Sequence, residues 1–572
     1  MADFDTRMNL KTIIGYKEIY GDHKDQSFAN ELLKDIPSVT LLNYISGFNI
    51  QLYLNETSDE SHNVQIQLLN NLIVKAGPST IERFKQVFQE YINKGQWPVI
   101  FWQYSNLLFY ELIFSTYNNL PMRDLTSAEA KNVLDAYLII NSITSNRFKI
   151  TFEEVKLAAE KGEVESILLP NFIYQKDYAS TTDFSNQITR SIKFFQYLEN
   201  SDKYKEYVSQ YYQHLKVRDS RDLIHNILTI FTQVGIGQPG EQRKQFIPLD
   251  NIISLVNINF IKSLSINDTI RTYVPDNSFR LLRKQMLYHF DRNIFFLLDI
   301  NFLVDQLYKA KVFSFKEFIE VLGYKGNFLS VKGKEFMEDI YFSHIMERCF
   351  SSGIHLAGDD AKKNDGNEIC DYYIRYGNNV IIVEFKDVLL SATLKELSDK
   401  EPLYKELDKK FYENQKKDPK GIQQLFNAAS YLENNNPEFD TLPTSGVINV
   451  YPVVIYTDLS FGYEGVNKIL NQKFNELTDS MEFEKLEIKD VTFINLNYFE
   501  VHEDYLKQGL INLFDIIAGY HSHILNEDYS TTPFEVYSRF YLKTNIKKEL
   551  GNPSFMLEVI KEIIPAAIDN IL

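Results

Sequence analysis

Cysteine is almost missing: Cys349 and Cys370 are the 2 in a chain of 572 residues, too few for a disulfide framework at this length. The first residues, MADFDTRMNLKTIIGYKEIY, have no basic segment followed by an apolar one and do not read as a signal peptide. Both absences point to a reducing, cytoplasmic setting. Positive charge is also in deficit, with 60 Lys and Arg against 77 Asp and Glu for a formal charge of −17. That excludes coating of nucleic acid by a generally basic surface, so any such contact needs a local basic groove. No bilayer span is legible and no membrane partner is expected. The most apolar long stretch, Trp97 to Tyr117, is broken by Gln103, Ser105, Asn106 and Glu111, where a span needs a run of ~20 apolar residues. It reads as a buried helix. Fixed-period repeats, low-complexity tracts, a P-loop and a Ser-His-Asp or Cys-His arrangement are not found either.

What remains is a globular composition, 44% hydrophobic and 24% charged, on a chain long enough for two or three domains. Residues 1–234 read as a helical domain of unassigned role. In IERFKQVFQEYI (Ile81 to Ile92), for example, Phe84, Val87, Phe88 and Ile92 recur at helical spacing. Residues 235–322 read as a loop and connecting helices. The loop holds Gly235, Gly237 and Gly240 in G-x-G-x-x-G spacing, but Pro239 and the polar EQRKQ that follows suit neither the strand nor the helix of a dinucleotide site. Apolar helical patterning resumes from Asn293 to Ala310. From 323 to 525 helices alternate with strands, which predicts an α/β domain: a mixed sheet flanked by helices, preceded by the mainly α-helical N-terminal region. The expected order is helix 334–350, strands 370–376 and 380–386, helix 421–434, strand 451–457, helix 466–477, strand 491–496 and helix 505–518. A helical tail, 526–572, starts with Thr532 as cap, Pro533 at the first helical position and Glu535 completing a capping box.

The stretch CDYYIRYGNNVIIVEFK (Cys370 to Lys386) reads as a hairpin with Asp371, Glu384 and Lys386 on an otherwise apolar ribbon. A turn at Gly377-Asn378 places Asp371 opposite Glu384, and one at Asn378-Asn379 places it opposite Lys386. Either register puts all three on one face, because side chains alternate along a strand. Two carboxylates converging there repel unless a divalent cation lies between them, and oxygen ligands favour Mg²⁺ or Mn²⁺ over zinc. A lysine beside that ion suits hydrolysis of a phosphodiester. The plainer alternative is a cross-strand salt bridge from Asp371 to Lys386. E-x-K alone carries no signal, since Glu154-Val155-Lys156 and Glu487-Ile488-Lys489 match it too. Context separates this copy: an apolar β-branched strand, a partner bearing an aspartate, and a preceding helix bearing glutamates.

On these residues the segment from about Val331 to Ala518 resembles the PD-(D/E)XK nuclease superfamily, a restriction-endonuclease-like fold. The resemblance implies metal ligation by Asp371, Glu384 and the backbone carbonyl of Phe385, with Lys386 positioning the attacking water. It implies an acidic residue on the preceding helix, Glu338 in preference to Glu335, and a polar one on the following helix, Gln424 in preference to Gln423. Cys370 stands where the family commonly has proline. The resemblance makes DNA the favoured substrate over RNA, in a restriction or phage-defence setting. The N-terminal helices would then recognise the substrate, a protein partner or a trigger. The rival reading is a catalytically silent nuclease-like scaffold in a helical interaction protein.

The charged insertion Leu394 to Lys420 carries Lys405, Lys409, Lys410, Lys416, Lys417 and Lys420 interleaved with acids, and reads equally as a phosphate-binding flank or a solvated helix face. His521 and His523 read as surface histidines, and the segment around His502 as a turn before a helix.

Overall fold

The computed structural model describes residues 11–53, 58–147, 150, 152–178, 184–234, 245–249, 256–276, 278–363, 366–435, 437–548 and 550–563. Gly235, Gly237 and Gly240 lie outside them. Among the described residues no helix is long and apolar enough to cross a membrane.

The first 234 residues are mainly helical, with one small parallel pair, β1 (Lys11–Ile13) and β2 (Trp97–Val99). The expected helix at Trp97 to Tyr117 is therefore shorter, running from Gln103 to Ser115. Residues 97–99 instead pair with β1. The polar residues that broke the apolar run each find a hydrogen-bond partner inside the core, although the Asn106 Nδ2 has none among the described residues. Gln103 accepts from Asn49 (2.7 Å), Ser105 donates to Asn141 (2.7 Å), and Asn106 accepts from the Tyr137 hydroxyl (2.7 Å). Glu111 accepts from the Asp276 amide (3.1 Å) and the Tyr273 hydroxyl, and burial pushes its carboxyl up to about 8.

The connecting region is not all loop and helix. β3 (Phe246–Pro248), β4 (Leu287–Asp291) and β5 (Ile294–Leu297) form a 3-stranded antiparallel sheet in the order β3-β5-β4. The helical pattern expected from Asn293 thus begins instead with a strand, because IFFL pairs on both sides. Helices Ile300–Asp305 and Lys309–Val321 follow.

Six strands then build a mixed sheet: β6 (Ile354–Ala357), β7 (Tyr372–Tyr376), β8 (Asn379–Lys386), β9 (Ile448–Tyr456), β10 (Leu486–Ile488) and β11 (Thr492–Asn495). β6, β7 and β8 are antiparallel neighbours. β9 runs parallel to β8, and β10 and β11 pair in succession along β9's other edge, also parallel. Parallel neighbours need crossovers, supplied here by helices Ile422–Asn434 and Val466–Thr478.

Alternation along β8 assigns its faces. Ile381, Val383 and Phe385 join a core that reaches from Ile14 through the helical half. Val380 and Ile382 join a second core under helices Lys400–Phe411, Ile422–Asn434 and Val466–Thr478. Helices cover both faces, an α/β arrangement, and the helical half shares one continuous core with the sheet.

Several local expectations are corrected. The helix expected at 505–518 is two, Leu496–Lys507 and Leu513–Ile524, broken at the positive-φ residue Gly509. His502 is therefore inside a helix rather than in a turn; its backbone departs from helical geometry (φ −107°, ψ 17°) and its Nδ1 bonds Tyr498 O at 2.8 Å. The tail helix is Phe534–Asn545, capped at Pro533 without a side-chain bond. Glu535 closes no capping box, because it accepts from the Tyr456 hydroxyl (2.7 Å) and the Asn495 amide (2.6 Å), a tertiary pairing that outcompetes the local one. His521 is half-buried, bonded to Thr492 Oγ1 at 2.7 Å, and burial pushes its ring down to about 4. His523 stacks on Tyr529 with centroids 4.5 Å apart.

Candidate metal centre

The hairpin register follows from its turn. Tyr376 pairs with Asn379 and Tyr372 with Val383, which leaves Gly377-Asn378 as the turn, and Gly377 takes φ +59°, a conformation that favours glycine. Of the two registers open to the sequence, this is the one that sets Asp371 toward Glu384. At the end of the ladder the Phe385 amide donates to Asp371 Oδ2 (2.6 Å) instead of to a strand carbonyl. The carboxylate is thereby fixed at the end of β8.

Glu384 is 2% exposed, and its Oε2 accepts from Lys386 Nζ at 2.7 Å. The same ammonium lies 3.9 Å from Asp371 Oδ2. All three predicted hairpin residues therefore meet. The cross-strand ion pair of the plainer reading exists as well, but it is the longer contact. The decoy copy differs: Glu487 on β10 and Lys489 just after it pair at 2.6 Å, with the lysine and glutamate side chains 26% and 58% exposed.

Glu338 comes from the preceding helix, whose first part, Lys332–Phe342, is wound as a π-helix, a geometry frequent at functional sites. Glu338, Glu368 and Asp371 bring carboxylate oxygens within 4.8 Å of one another, a set that could hold a metal ion. Glu335 points elsewhere, accepting from the Tyr197 hydroxyl at 2.6 Å. Glu368 was not found from sequence. It sits in an irregular loop, positioned by an isolated bridge to Lys362, and no strand or helix periodicity marks it. The Phe385 ring stacks on Phe342 at 4.5 Å. Gln424 turns back to accept from the Gly421 amide (2.9 Å), capping its own helix, while the buried Gln423 Oε1 has no partner among the described residues. Cys370 is buried and donates to Tyr372 O at 3.2 Å.

The electrostatics are those of crowded acids. Burial first, and the charge of Asp371 second, push Glu384 up to about 8 and Glu338 up to about 7. Burial alone would lower Lys386, but Glu384 and Asp371 outweigh it and hold the amine above its ordinary range. Lys386 is an ammonium at neutral pH.

These shifts set a pH dependence. Folding raises both glutamates from an ordinary value of 4.5. The stability contributed by their neutral forms is complete below that value and is lost as pH rises through 7 and 8 in metal-free protein. A divalent cation held by these acids would require their ionised forms, so Mg²⁺ affinity at such a site is expected to rise from pH 6.5 to 8.5 with protons released on binding. Calorimetric titration at the two pH values checks this, and affinity that is flat with pH would refute it.

A cleft of about 720 Å³ opens beside the cluster. Its walls carry eight lysines and Arg190 against Asp305, Glu338, Asp387 and Asp458, a local excess of positive charge in an acidic protein. Lys409, Lys410 and Lys420 of the charged insertion are on this wall, whereas Lys405 pairs with Glu401 (3.7 Å) on an open helix face with both side chains more than three-quarters exposed. The insertion thus divides between the two readings, with one side facing the cleft and the other facing solvent.

No known protein-family model, curated protein or solved structure matches this chain.

Proposed function

We propose that the protein is a metal-dependent phosphodiesterase acting on nucleic acid, a nuclease of the PD-(D/E)XK type with DNA as the favoured substrate. The observation that carries this is the meeting of Asp371, Glu384, Lys386 and Glu338 at the end of β8, next to a cleft rich in lysine. Carboxylates gathered at this cost to their ionisation fit a hard divalent cation, which relieves their repulsion. Asp371 and Glu384, with the Phe385 carbonyl, would hold Mg²⁺ or Mn²⁺, and Glu338 and Glu368 flank the same space. The ion would supply a lowered pKa for water and neutralisation of phosphate charge.

The rest of the chemistry belongs to the chain. Lys386, kept protonated by its neighbours, orients the attacking water and offers positive charge to the pentavalent transition state. Glu384 fixes the ammonium of Lys386 along the strand edge. The cleft lysines hold flanking phosphates and place the scissile bond.

The test is incubation of the full chain with linear, circular and single-stranded DNA and with RNA, in Mg²⁺ or Mn²⁺ and in EDTA. Cutting that vanishes in EDTA and in Asp371→Asn is the expected result. A protein that binds Mg²⁺ yet cuts none of these substrates would favour the silent scaffold instead.

A further inference from the structure

Next to the cleft lies a larger cavity, of about 2060 Å³, between the helical half and residues 389–397. Asp305, Lys309, Phe313, Leu389 and Asp458 line both, so the two spaces adjoin. The volume exceeds the ~300–1,000 Å³ usual for a small-molecule site.

One side chain of its wall is out of balance. Lys311, on helix Lys309–Val321, is 3% exposed and occupies that helix's buried face with Val312, Phe315 and Ile319. Its ammonium lies over the Phe260 ring at 5.4 Å. Among the described residues it has no hydrogen bond and no ion pair. Burial alone lowers the amine to about 7, with no neighbouring charge contributing. The carboxylates that line the same cavity have other partners: Asp305 pairs with Arg283 (3.7 Å) and Glu396 accepts from the Tyr178 hydroxyl (3.4 Å). Glu317 pairs with Lys284 (2.7 Å), Asp276 accepts from Ser278, and Asp458 accepts from the Leu390 and Ser460 amides. A cation removed from water without a counter-ion is unfavourable, and an anionic ligand entering the cavity would supply one.

We propose that this cavity binds a phosphate-bearing nucleotide ligand, with Lys311 as the buried cation that receives a phosphate. Half-buried rings on the same wall, Phe313 and Phe318, provide the flat apolar surfaces on which a base stacks, and Arg280 adds a second cation. The phosphate could arrive as a free nucleotide or as part of a strand that continues from the cleft. Both use the same chemistry at Lys311.

Binding would draw the amine back to its charged form, so it takes up a proton near pH 7. That signature separates a ligand site from a lysine that merely fills space. The experiment is isothermal titration of the full chain, in EDTA so that nothing is cut, with deoxyadenosine triphosphate and with a single-stranded oligonucleotide. Each titration is run in two buffers of different ionisation enthalpy. Wild type is expected to bind at least one probe with proton uptake. Lys311→Met is expected to bind it at least about tenfold more weakly, the loss of one charge-assisted hydrogen bond, without proton uptake. Binding of the triphosphate supports the site with a free nucleotide as its source, and binding of the oligonucleotide alone supports it with a strand. The ligand-free melting temperature of Lys311→Met should be unchanged or higher, since Met fills the same space without charge. Lys311→Gln is the second variant if it is not. No binding of either probe, or binding by both variants that matches wild type, overturns the proposal. Because no cleavage is measured, its failure is distinct from failure of the nuclease reading.

Discussion

Lys386→Ala is expected to lower metal-dependent cleavage by about 10²–10³, the usual effect of removing one preorganised electrostatic group from a transition state. The fold should survive, because the side chain lines the cleft and is part of neither apolar core. Two consequences separate this result from simple damage to the site. Loss of the ammonium leaves Glu384 buried with no countercharge at 2.7 Å, so its carboxyl moves further upward and competes harder for a proton. At pH 6.5 the variant should therefore hold Mg²⁺ more weakly than wild type. At a pH high enough to ionise the carboxyls in both proteins, the missing positive charge no longer opposes the ion and affinity should match or exceed wild type. A rate defect that persists there with full metal occupancy assigns Lys386 to the reacting phosphate and water. Lys386→Arg should not rescue it, since a planar guanidinium cannot occupy the place of a compact ammonium between Glu384 and Asp371. Wild-type cleavage with an equally active Lys386→Ala would move the active site away from this hairpin.

The hairpin was legible because its chemistry rests on two rules with little freedom. Residues two apart share a strand face, and a two-residue turn sets the register; the glycine in Gly377-Asn378 decided between the two registers that the sequence left open. Glu338 was legible on a helix but not separable from Glu335, because a spacing of three puts both on adjoining surface. What separates them is tertiary: Tyr197, from the helical half, takes Glu335. Glu368 was invisible, since a loop residue carries no periodicity and its neighbours in space are set by the bridge to Lys362. Gln424 shows the opposite failure: its position matches the pattern, but its side chain finds the nearer Gly421 amide. β6 and β10 were missed as strands of 4 and 3 residues at the sheet edges, too short for alternation to register. Tertiary pairing similarly turned IFFL from an apolar helical segment into β5.

The second large effect is structural and lies at the seam between the helical half and the sheet. Arg190 reaches across to the helix after β11. It bonds Glu500 through two parallel contacts (2.8 and 2.7 Å) and Asn497 (2.7 Å), and the Tyr341 hydroxyl gives Glu500 a further bond at 2.6 Å. Arg190 and Glu500 are 5% and 3% exposed. Removing one partner of such a pair leaves a buried charge, so Arg190→Met is expected to cost about 3–5 kcal/mol in a denaturant titration. The double variant Arg190→Met with Glu500→Leu should recover most of that loss, because two apolar side chains need no counter-ion. The pair also bears on the candidate metal centre. Tyr341 stands three residues beyond Glu338 on the same π-helix, and Arg190 and Asn497 line the cleft. A relaxed Arg190→Met should therefore lose Mg²⁺ affinity as well as stability, with the double variant restoring stability more fully than metal binding, since it returns neither the hydrogen bond to Tyr341 nor the one to Asn497. Equal recovery of both would show that the ion pair braces the core without setting the position of Glu338.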